Sequence, residues 1–332
     1  DVVQNVVLNL TDAVSTLGYA FVDIRPRVKR KKKERVIDIT FRVREGPRVF
    51  VERIDITGNV RTIDSVIRRE MVLVEGDAFN ASKTLRARKK IRNLGFFEKV
   101  DVKNVVGSRP DKTVLQVKVR ERSTGEITFG AGFSTTNGPL ANVGIRERNL
   151  LGKGQDLLLK TTIAAEASEI DLKFTEPYFL DRKLSGGFDL FRTTKDLQNE
   201  SSFQRKSFGA GLRLGFEYSD IFRQRLRYRI TREEVTDVAS IASLAIQEQE
   251  GAAVKSEISQ ILTYDGRDDL FLPTKGVVAR FNTALAGLGG VVKYIRTNVK
   301  ATKYFPITEK FIGSIGGSAG YIIGLGKEIR IV

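Results

Sequence analysis

Hydrophobic and polar residues alternate through most of the chain from Glu126 onward. In the stretch SEIDLKFTEPYFLDRKLSGGFDLF (residues 168–191), Ile170, Leu172 and Phe174 point one way, and the residues between them are charged. A period of two residues is typical of a β-strand whose two faces meet different surroundings. The repeated pattern predicts eleven strands, at about residues 126–135, 140–148, 155–165, 168–176, 183–193, 204–218, 223–235, 254–264, 276–286, 291–303 and 311–324.

The apolar faces of these strands must be covered by another surface. Each strand carries several large apolar side chains, and burying one is worth about 1.5–3 kcal/mol. Summed over eleven strands, this exceeds the ~5–15 kcal/mol by which a folded protein is stable, so the faces cannot stay in water. The covering surface is either a second sheet or lipid. Strands of nine residues or more favour lipid, since soluble strands average ~5–6 residues.

The connections between the predicted strands differ in character at the two ends of the sheet. Every second connection carries aromatic residues or proline, and these connections fall at one rim. The rim aromatics are Tyr178, Phe179, Tyr218, Phe222, Tyr264, Phe271, Tyr304 and Phe305. The other connections are polar and of variable length, an asymmetry typical of an outer-membrane barrel. The predicted lipid-facing residues are Ile170, Leu172, Phe174, Leu184, Phe188 and Leu190.

The first third of the chain contains one small unit twice. Residues 17–24 reappear as residues 94–102, and residues 41–45 reappear as residues 117–121, at offsets of 77 and 76 residues. The first copy begins inside its second helix, so we expect the chain to start within a domain. The sequence therefore predicts two α/β units before the strands.

The second copy can be read in full as β-α-α-β-β. The predicted elements are a strand over residues 51–57, a helix through Met71 capped by Thr62 or Asp64, a helix over residues 81–94 stopped by Gly95, and strands over residues 97–105 and 113–121. Two helices cover one face of such a sheet, and an edge strand could accept a further strand by main-chain pairing. The alternative is an edge that is merely solvated.

Positive charge is concentrated in the first third. The net charge is +16, and residues 1–124 hold 28 Lys and Arg against 16 Asp and Glu, whereas residues 125–332 hold 28 against 24. The run RPRVKRKKKER (residues 25–35) lies between the last two strands of the first copy and is expected to form a hairpin tip. The tip is either solvated or in contact with acidic headgroups or an acidic partner. Nucleic acid is disfavoured because no aromatic residues interleave the basic ones and no recognition helix follows.

The composition excludes most common active sites. The chain has no cysteine, histidine or tryptophan, which removes thiolate and imidazole metal ligands and any serine–histidine triad. Asp265, Asp268 and Asp269 form a carboxylate cluster beside Arg267, and we interpret it as an ion network that stabilises a turn. Calcium is the alternative, although the spacing of a known calcium loop is absent. No enzymatic activity, cofactor or metal is predicted.

Several motifs resemble those of one family. RREM (residues 68–71) with Glu75-Gly76 and NLGFFEKVDV (residues 93–102) resemble the last POTRA domain of that family, and ERSTGEITFGAGFST (residues 121–135) resembles its junction and first barrel strand. NLLGKGQ (149–155), FTEPYF (174–179) and YDGRDDLFLPTKG (264–276) resemble its barrel turns. In this order the motifs resemble the outer-membrane-protein assembly family over essentially the whole chain.

The resemblance implies an architecture. It consists of α+β POTRA units followed by an antiparallel transmembrane β-barrel, with a partial POTRA domain at 1–46, a complete one at 47–122 and barrel strands over 123–332. Sixteen strands are expected in the family and about eleven are present, so the chain is expected to be a fragment truncated at both ends. It would end near an inward-folded loop whose Arg-Gly-Phe/Tyr motif is missing here.

The resemblance also implies a function, the insertion and folding of β-barrel proteins by the central subunit of an assembly machinery in the bacterial outer membrane, with its POTRA domains in the periplasm. The implied partners are unfolded outer-membrane protein clients, accessory lipoproteins and membrane lipids. A client strand would add at a lateral gate formed by the first barrel strand, Glu126, Ile127, Thr128, Phe129, Gly130, Ala131, Gly132, Phe133 and Ser134. Accessory lipoproteins would contact Arg68, Arg69, Glu70 and Glu75.

Alternatives stay open at each of these points. Gly130 and Gly132 either weaken the gate strand or simply curve the barrel. An ion pair within the helix competes with the accessory surface around Arg69 and Glu70. A related two-partner-secretion or TamA-like translocation pore is the alternative function, and a soluble basic binding module is a further one.

Overall fold

The protein is described by a computed structural model over residues 6, 7, 10, 13, 14, 23–31, 36–44, 48–269, 272–308 and 311–326. The chain divides into two compact units. The first comprises Asp1–Thr124 with Leu151–Gly154, and the second comprises Gly125–Leu150 with Gln155–Val332. Among the described residues, no helix has both the length and the apolar composition needed to cross a membrane.

The basic run of the first unit lies mostly within a strand. β1 (Asp23–Lys31) pairs antiparallel with β2 (Val36–Arg44), so that residues 25–31 belong to β1 and the predicted hairpin tip is wrong for them. The reason is that Arg25, Arg27 and Lys29 occupy alternate positions, which one face of a strand accommodates. Residues 32–35 of the run and residues 17–22 of the repeat lie outside the described residues.

The second copy of the repeat folds in the predicted β-α-α-β-β order. Its elements are β3 (Phe50–Thr57), α1 (Asp64–Arg68), α2 (Ala81–Asn93), β4 (Phe97–Val106) and β5 (Lys112–Glu121). The sheet order is β3-β5-β4, with β5 parallel to β3 and antiparallel to β4. Central strand β5 and both helices bury one apolar core, which includes Ile67, Ile91, Leu115 and Val117.

Helix α1 is shorter than predicted, and neither predicted residue caps it. Ile63 occupies the N-cap position, Asp64 is the first helical residue, and the helix ends at Arg68 instead of Met71. After Arg68 the chain tightens, since the N–H of Met71 donates to the carbonyl of Arg68 at 3.0 Å, three residues back. Thr62 is buried and its N–H donates to another strand, as described below.

Helix α2 begins and ends where the sequence predicts. The side chain of Asn80 accepts a hydrogen bond from the N–H of Lys83 at 2.9 Å, which satisfies one free donor of the first turn. Gly95 follows the helix with φ of +76°, a conformation that glycine adopts without steric cost. The predicted stop at Gly95 is confirmed.

Glu121, the last residue of β5, holds the loop that follows β3. Its two carboxylate oxygens accept the N–H groups of Arg61 at 2.9 Å and Thr62 at 2.7 Å. Partial burial raises the pKa of Glu121, but these hydrogen bonds and one from the Thr62 side chain outweigh it, so the pKa lies below its usual value. The carboxylate therefore stabilises the folded unit.

We expect the Glu121→Gln variant to lose about 1 kcal/mol of unfolding free energy at pH 7, because glutamine forms neutral, weaker hydrogen bonds and the site is partly solvated. The folded pKa is depressed, so this stabilisation is fully present above the unfolded value of about 4.3 and is lost as the pH falls through the folded pKa. The difference between the proteins should therefore shrink below about pH 4 in urea titrations.

A fluorophore on a single introduced cysteine at Val106, in the same unit, would report the unfolding of this unit in those titrations. Glu98→Gln on β4 serves as a control, because Glu98 forms an exposed ion pair with Arg120. A difference between wild type and Glu121→Gln that stays constant from pH 7 to pH 3 would contradict the assigned role.

The second unit is one antiparallel sheet of eleven strands in sequence order. Its strands are β6 (Gly125–Ser134), β7 (Gly138–Leu150), β8 (Gln155–Ala164), β9 (Ala167–Glu176), β10 (Leu184–Asp196), β11 (Gln204–Glu217), β12 (Phe222–Thr236), β13 (Gly251–Asp265), β14 (Gly276–Ala286), β15 (Tyr294–Pro306) and β16 (Ile312–Gly324). Among the described residues, β6 and β16 form its two edges. Three short helical segments lie in the connections: the 3₁₀ turn Phe179–Asp181, α3 (Gln198–Ser201) and α4 (Leu244–Gln247).

All eleven predicted strands are present, and their ends differ by at most three residues. β15 begins at Tyr294 instead of residue 291, because Gly287 and Gly289 have positive φ and turn the chain before it. β13 begins at Gly251 instead of residue 254, since its pairing with β12 continues into the loop. Each consecutive pair is a hairpin, so alternate connections lie at the same end of the sheet.

Candidate functional site

Strand β6 has one main-chain edge without a partner in the described part of the chain. It pairs with β7 alone, in a register that sets Ile127 opposite Ile145 and Phe133 opposite Pro139. All nine residues of the predicted client-strand edge lie in β6. An unpaired strand edge presents N–H and C=O groups to which another strand can bind.

The two glycines predicted to weaken β6 lie on its charged face and allow a close approach by β7. A Cβ atom on Gly130 would lie 2.7 Å from the Asn142 side-chain oxygen, so the Asn142 side chain rests over the bare backbone. At Gly132 a Cβ atom would make an ordinary contact of 3.7 Å with Leu140. Glu126, on the same face, pairs with Arg148 at 2.9 Å. The glycines thus leave β6 with few side-chain contacts on this face.

One face of the sheet is apolar across neighbouring strands. In the observed register Phe174 lies opposite Phe188, and Phe188 lies opposite Leu212. The rings of Phe174 and Phe188 stack with centroids 5.4 Å apart. All six residues predicted to face lipid lie on this face. They are Ile170, Leu172, Phe174, Leu184, Phe188 and Leu190.

The other face holds a buried carboxylate between arginines. Asp189 of β10 is only 2% exposed; its Oδ1 lies 2.9 Å from Arg213 Nε of β11, and its Oδ2 lies 3.9 Å from Arg227 of β12. Gly211 lies opposite Asp189 and has no side chain, so Arg227 can reach across β11. The alternation placed Asp189 on this face but did not predict its burial. The sequence signal for this burial was the series Gly209, Gly211 and Gly215, which lies on the same face of β11 as Arg213 and leaves room for the charged side chains.

The charged face is concave. A cavity of about 540 Å³ is lined by residues of six strands, β9 to β13 and β15. Within it, Glu233 pairs with Lys255 at 2.8 Å and with Arg205 at 3.2 Å, and Glu257 accepts a hydrogen bond from Tyr294. Charged side chains facing a common space are typical of a polar barrel interior.

The predicted rim aromatics meet at one end of the sheet. They lie in or beside the connections β9–β10 (Tyr178, Phe179), β11–β12 (Tyr218, Phe222), β13–β14 (Tyr264) and β15–β16 (Tyr304, Phe305). Tyr218 and Phe222 stack with centroids 5.6 Å apart. Tyr304 faces the charged side and contacts Arg267. Phe271 lies outside the described residues.

The carboxylate cluster after β13 stabilises its turn, as predicted. Both Asp265 oxygens accept hydrogen bonds from Arg267 at 2.7 Å. Asp268 accepts the N–H groups of Thr274 at 2.9 Å and Lys275 at 3.1 Å, and hydrogen bonds from the Thr274 side chain and these N–H groups hold its pKa far below the usual value. Among the described residues, no cluster of three or more acidic side chains could hold a metal ion.

In the first unit, the free edge of β3 is covered by its own chain. The N–H of Val51 donates to the carbonyl of Asp77, and the carbonyl of Val51 accepts the N–H of Gly76, both at 2.8 Å. Further along, Glu75 accepts the N–H of Ile54 at 3.2 Å, and Arg68 donates to the Ile54 carbonyl at 3.2 Å. The outward main-chain groups of Val51 and Ile54, to which another strand would bind, are therefore occupied.

The residues predicted to contact accessory lipoproteins thus have structural roles as well. Arg68 also pairs with Asp64, four residues earlier, at 2.7 Å. Glu70 is buried and offers little surface, whereas Arg68 and Glu75 are exposed. The contacts of Arg68 and Glu75 with β3 were not predictable from local pattern, because the partners lie 14 and 21 residues away.

The opposite edge of the same sheet is uncovered. β4 pairs with β5 and with no other strand of the described residues. The three-stranded sheet therefore has one covered edge, on β3, and one edge, on β4, that is open among the described residues.

Two family models match the chain. The Omp85 superfamily domain matches residues 149–331. The POTRA model, described as a surface antigen variable number repeat, matches residues 49–122.

Curated relatives and solved structures match over nearly the whole chain. Outer membrane protein assembly factor BamA of Neorickettsia risticii is 29% identical over 96% of this chain, and that of Nitratidesulfovibrio vulgaris is 30% identical over 94%. The chain spans 43% and 39% of those proteins. The crystal structure of BamA from Haemophilus ducreyi lacking POTRA domains 1–3 superposes with a TM-score of 0.79 at 25% identity, covering 97% of this chain and 64% of that one. CdiB from Escherichia coli shares the fold, with a TM-score of 0.52 at 13% identity over 96% of this chain and 62% of its own.

Proposed function

The chain belongs to the Omp85 superfamily, and from that premise we propose that it folds and inserts β-barrel proteins into the bacterial outer membrane. The observation that carries the proposal is the edge of β6 that has no strand partner among the described residues, at the end of a sheet with one apolar and one charged face. Similarity to proteins named outer membrane protein assembly factor supports it. We place the POTRA domains at 1–46 and 47–122, in the periplasm, and the barrel strands at 123–332.

In this proposal the sheet forms the wall of a transmembrane barrel. The apolar face, with Phe174 and Phe188, meets lipid, and the charged face with Asp189 lines the lumen. A strand edge cannot stay unpaired in hydrocarbon, where each unsatisfied main-chain group costs several kcal/mol. The edge of β6 must therefore pair with another strand whenever it lies within the bilayer.

The lateral gate depends on the need of the β6 edge to stay paired within the bilayer. A closing strand of the barrel pairs weakly with β6, and the terminal strand of a client replaces it by forming the same main-chain hydrogen bonds. Because Gly130 and Gly132 have no side chains, little packing on the charged face opposes the exchange. The client strand enters the bilayer already hydrogen-bonded, so the barrier that comes from bare main-chain groups is avoided. No covalent chemistry is required.

The complete POTRA domain would bind clients by adding a strand to β4. Its other edge strand, β3, is occupied by residues 76–79 and by Arg68 and Glu75, so a client strand has one edge at which to pair. Main-chain pairing tolerates many sequences, which suits a protein that handles varied clients. Accessory lipoproteins would contact the exposed side chains of Arg68 and Glu75, together with Arg69.

A translocation pore is the second candidate function, and the charged cavity favours it. A concave polar face with about 540 Å³ of free space could accompany a polypeptide through the lumen. A client in transit would contact residues such as Thr193 and Ser207, which line the cavity, instead of the edge of β6.

We expect cysteines at Thr128, Gly130 and Gly132 to form disulfides with a cysteine in the last strand of an outer-membrane protein client whose insertion has been arrested. The reason is that paired strands bring opposed residues within about 4.5–5.5 Å. The chain has no native cysteine, so each crosslink reports one position. Non-reducing gels of outer membranes, followed by mass spectrometry, would measure the yield.

Asn142 on β7 is the matched control for position, because both edges of its strand are paired. Cysteines at Thr193 and Ser207 test the pore. Absence of crosslinks at all three positions in β6 would refute the gate, and crosslinks confined to the cavity would support translocation instead.

A further inference from the structure

Helix α2 presents a strongly basic surface. Its buried residues are Thr84, Ala87 and Ile91, and no acidic residue occurs in its thirteen positions. The exposed basic side chains are Lys83, Arg86, Arg88, Lys89, Lys90 and Arg92. At 3.6 residues per turn they are spread over the whole solvent side of the helix.

No ion pair compensates these charges. Within the described part of the chain, no carboxylate lies within 4.0 Å of a nitrogen atom of any of the six side chains. The acidic neighbour on β4, Asp101, is paired with Lys103 at 3.0 Å. Arg86 with Lys90 and Arg88 with Arg92 are like-charged neighbours four residues apart, which destabilises the helix. Arg88 is attracted by the nearby Asp101, but among the described residues no ion pair relieves the repulsion between the six cations.

An apolar side chain projects from the middle of this basic surface. Leu85 is 54% exposed and lies one turn before Arg88 and Lys89. Basic residues around an exposed leucine are typical of helices that lie in the interface of a membrane, where the apolar group enters the headgroup boundary.

We propose that α2 binds the surface of a membrane rich in anionic phospholipid. Anionic headgroups attract lysine and arginine at about 1 kcal/mol each close to the surface, and several of the six can approach one plane together. The uniform charge favours lipid over a protein partner, because it lacks the mixture of acidic, basic and amide groups that fixes the register of a protein interface. The proposal rests on the outer-membrane location in the proposed function but not on client insertion.

The test measures how closely α2 approaches headgroups. The full chain, with Asn93→Cys as its single cysteine and a fluorophore attached, is reconstituted in phosphatidylcholine vesicles with or without phosphatidylglycerol, each containing a headgroup-spin-labelled lipid as quencher. We expect quenching at least threefold stronger with phosphatidylglycerol at low salt. It should fall to the phosphatidylcholine level at 1 M salt, where the Debye length is ~3 Å.

Two charge-reversal variants distinguish lipid binding by α2 from general electrostatic attraction between the basic unit and anionic lipid. Arg86→Glu, Lys89→Glu and Lys90→Glu together should abolish the dependence on phosphatidylglycerol. The matched control reverses Arg53, Lys103 and Arg120, which are exposed in the same unit but already paired with Asp55, Asp101 and Glu98, and it should keep that dependence.

Two outcomes would overturn the proposal. One is equal quenching in the two lipids. The other is an equal loss of quenching in both variants. Client crosslinking at β6 is measured separately, so failure of lipid binding and failure of the proposed function give different results.

Discussion

Replacing Phe188 with arginine should destabilise the eleven-stranded sheet in a phospholipid bilayer by about 2–4 kcal/mol, the cost of a cation on the lipid face near the midplane of a membrane barrel. Phe188 lies in the apolar face between Phe174 and Leu212, far from either end of β10. The substitution removes the ring that stacks on Phe174, and the arginine would place its charge in hydrocarbon. Urea titration of the protein in lipid vesicles would measure the change in unfolding free energy.

Thr193 on the same strand gives the matched control. It lines the charged cavity and lies opposite Glu169 of β9, so an arginine there meets a carboxylate and water. Its effect should stay below about 1 kcal/mol. Equal losses in Phe188→Arg and Thr193→Arg would contradict the assignment of the two faces. A neutral Phe188→Arg would mean that the apolar face does not contact lipid.

Period-two alternation was sufficient to predict the strands of the second unit. Ile170, Leu172 and Phe174 lie on one face in the structure, because side chains in a strand alternate whatever the sheet around them. The eleven strands were therefore found from local pattern alone, and the family predicted from the motifs is confirmed by the Omp85 and POTRA matches. Strand ends were less accurate, since pairing with a neighbour extends β13 beyond its alternating residues.

Contacts between distant residues were not predictable from local pattern. The hydrogen bonds of Glu121 to Thr62 span 59 residues, and the contact of Arg213 with Asp189 depends on the register of two strands. The N-terminal cap of α1 was predicted wrongly for the same reason, because Thr62 is held by Glu121 and does not cap the helix. The repeated segment VKVRE (residues 117–121) shows that a glutamate is present but not which loop it holds.

The two edges of the POTRA sheet differ in a way that bears on strand pairing. Exposed strand edges invite uncontrolled association, and natural sheets usually cover them. Here Arg68 and Glu75 cap the edge of β3, while β4 at the opposite edge has no further strand partner among the described residues. This difference supports the proposal that client strands are added at β4.

Replacing Leu115 with alanine should lower the unfolding free energy of the complete POTRA domain by about 2–5 kcal/mol, the usual cost of a large cavity in a core. Leu115 is fully buried in β5, which holds β3 on one side and β4 on the other. Urea titration, followed by a fluorophore on a cysteine at Val106, would measure the loss.

Leu85→Ala removes the same atoms from an exposed position of the same domain and should change stability by less than about 0.5 kcal/mol. Because β5 is the one strand that pairs with β4 among the described residues, loosening β5 should also weaken the proposed binding of client strands at β4, in proportion to the fraction of unfolded domain. A Leu115→Ala variant as stable as Leu85→Ala would show that β5 is not the centre of the core. Unchanged client binding by a largely unfolded domain would show that clients bind elsewhere than at β4.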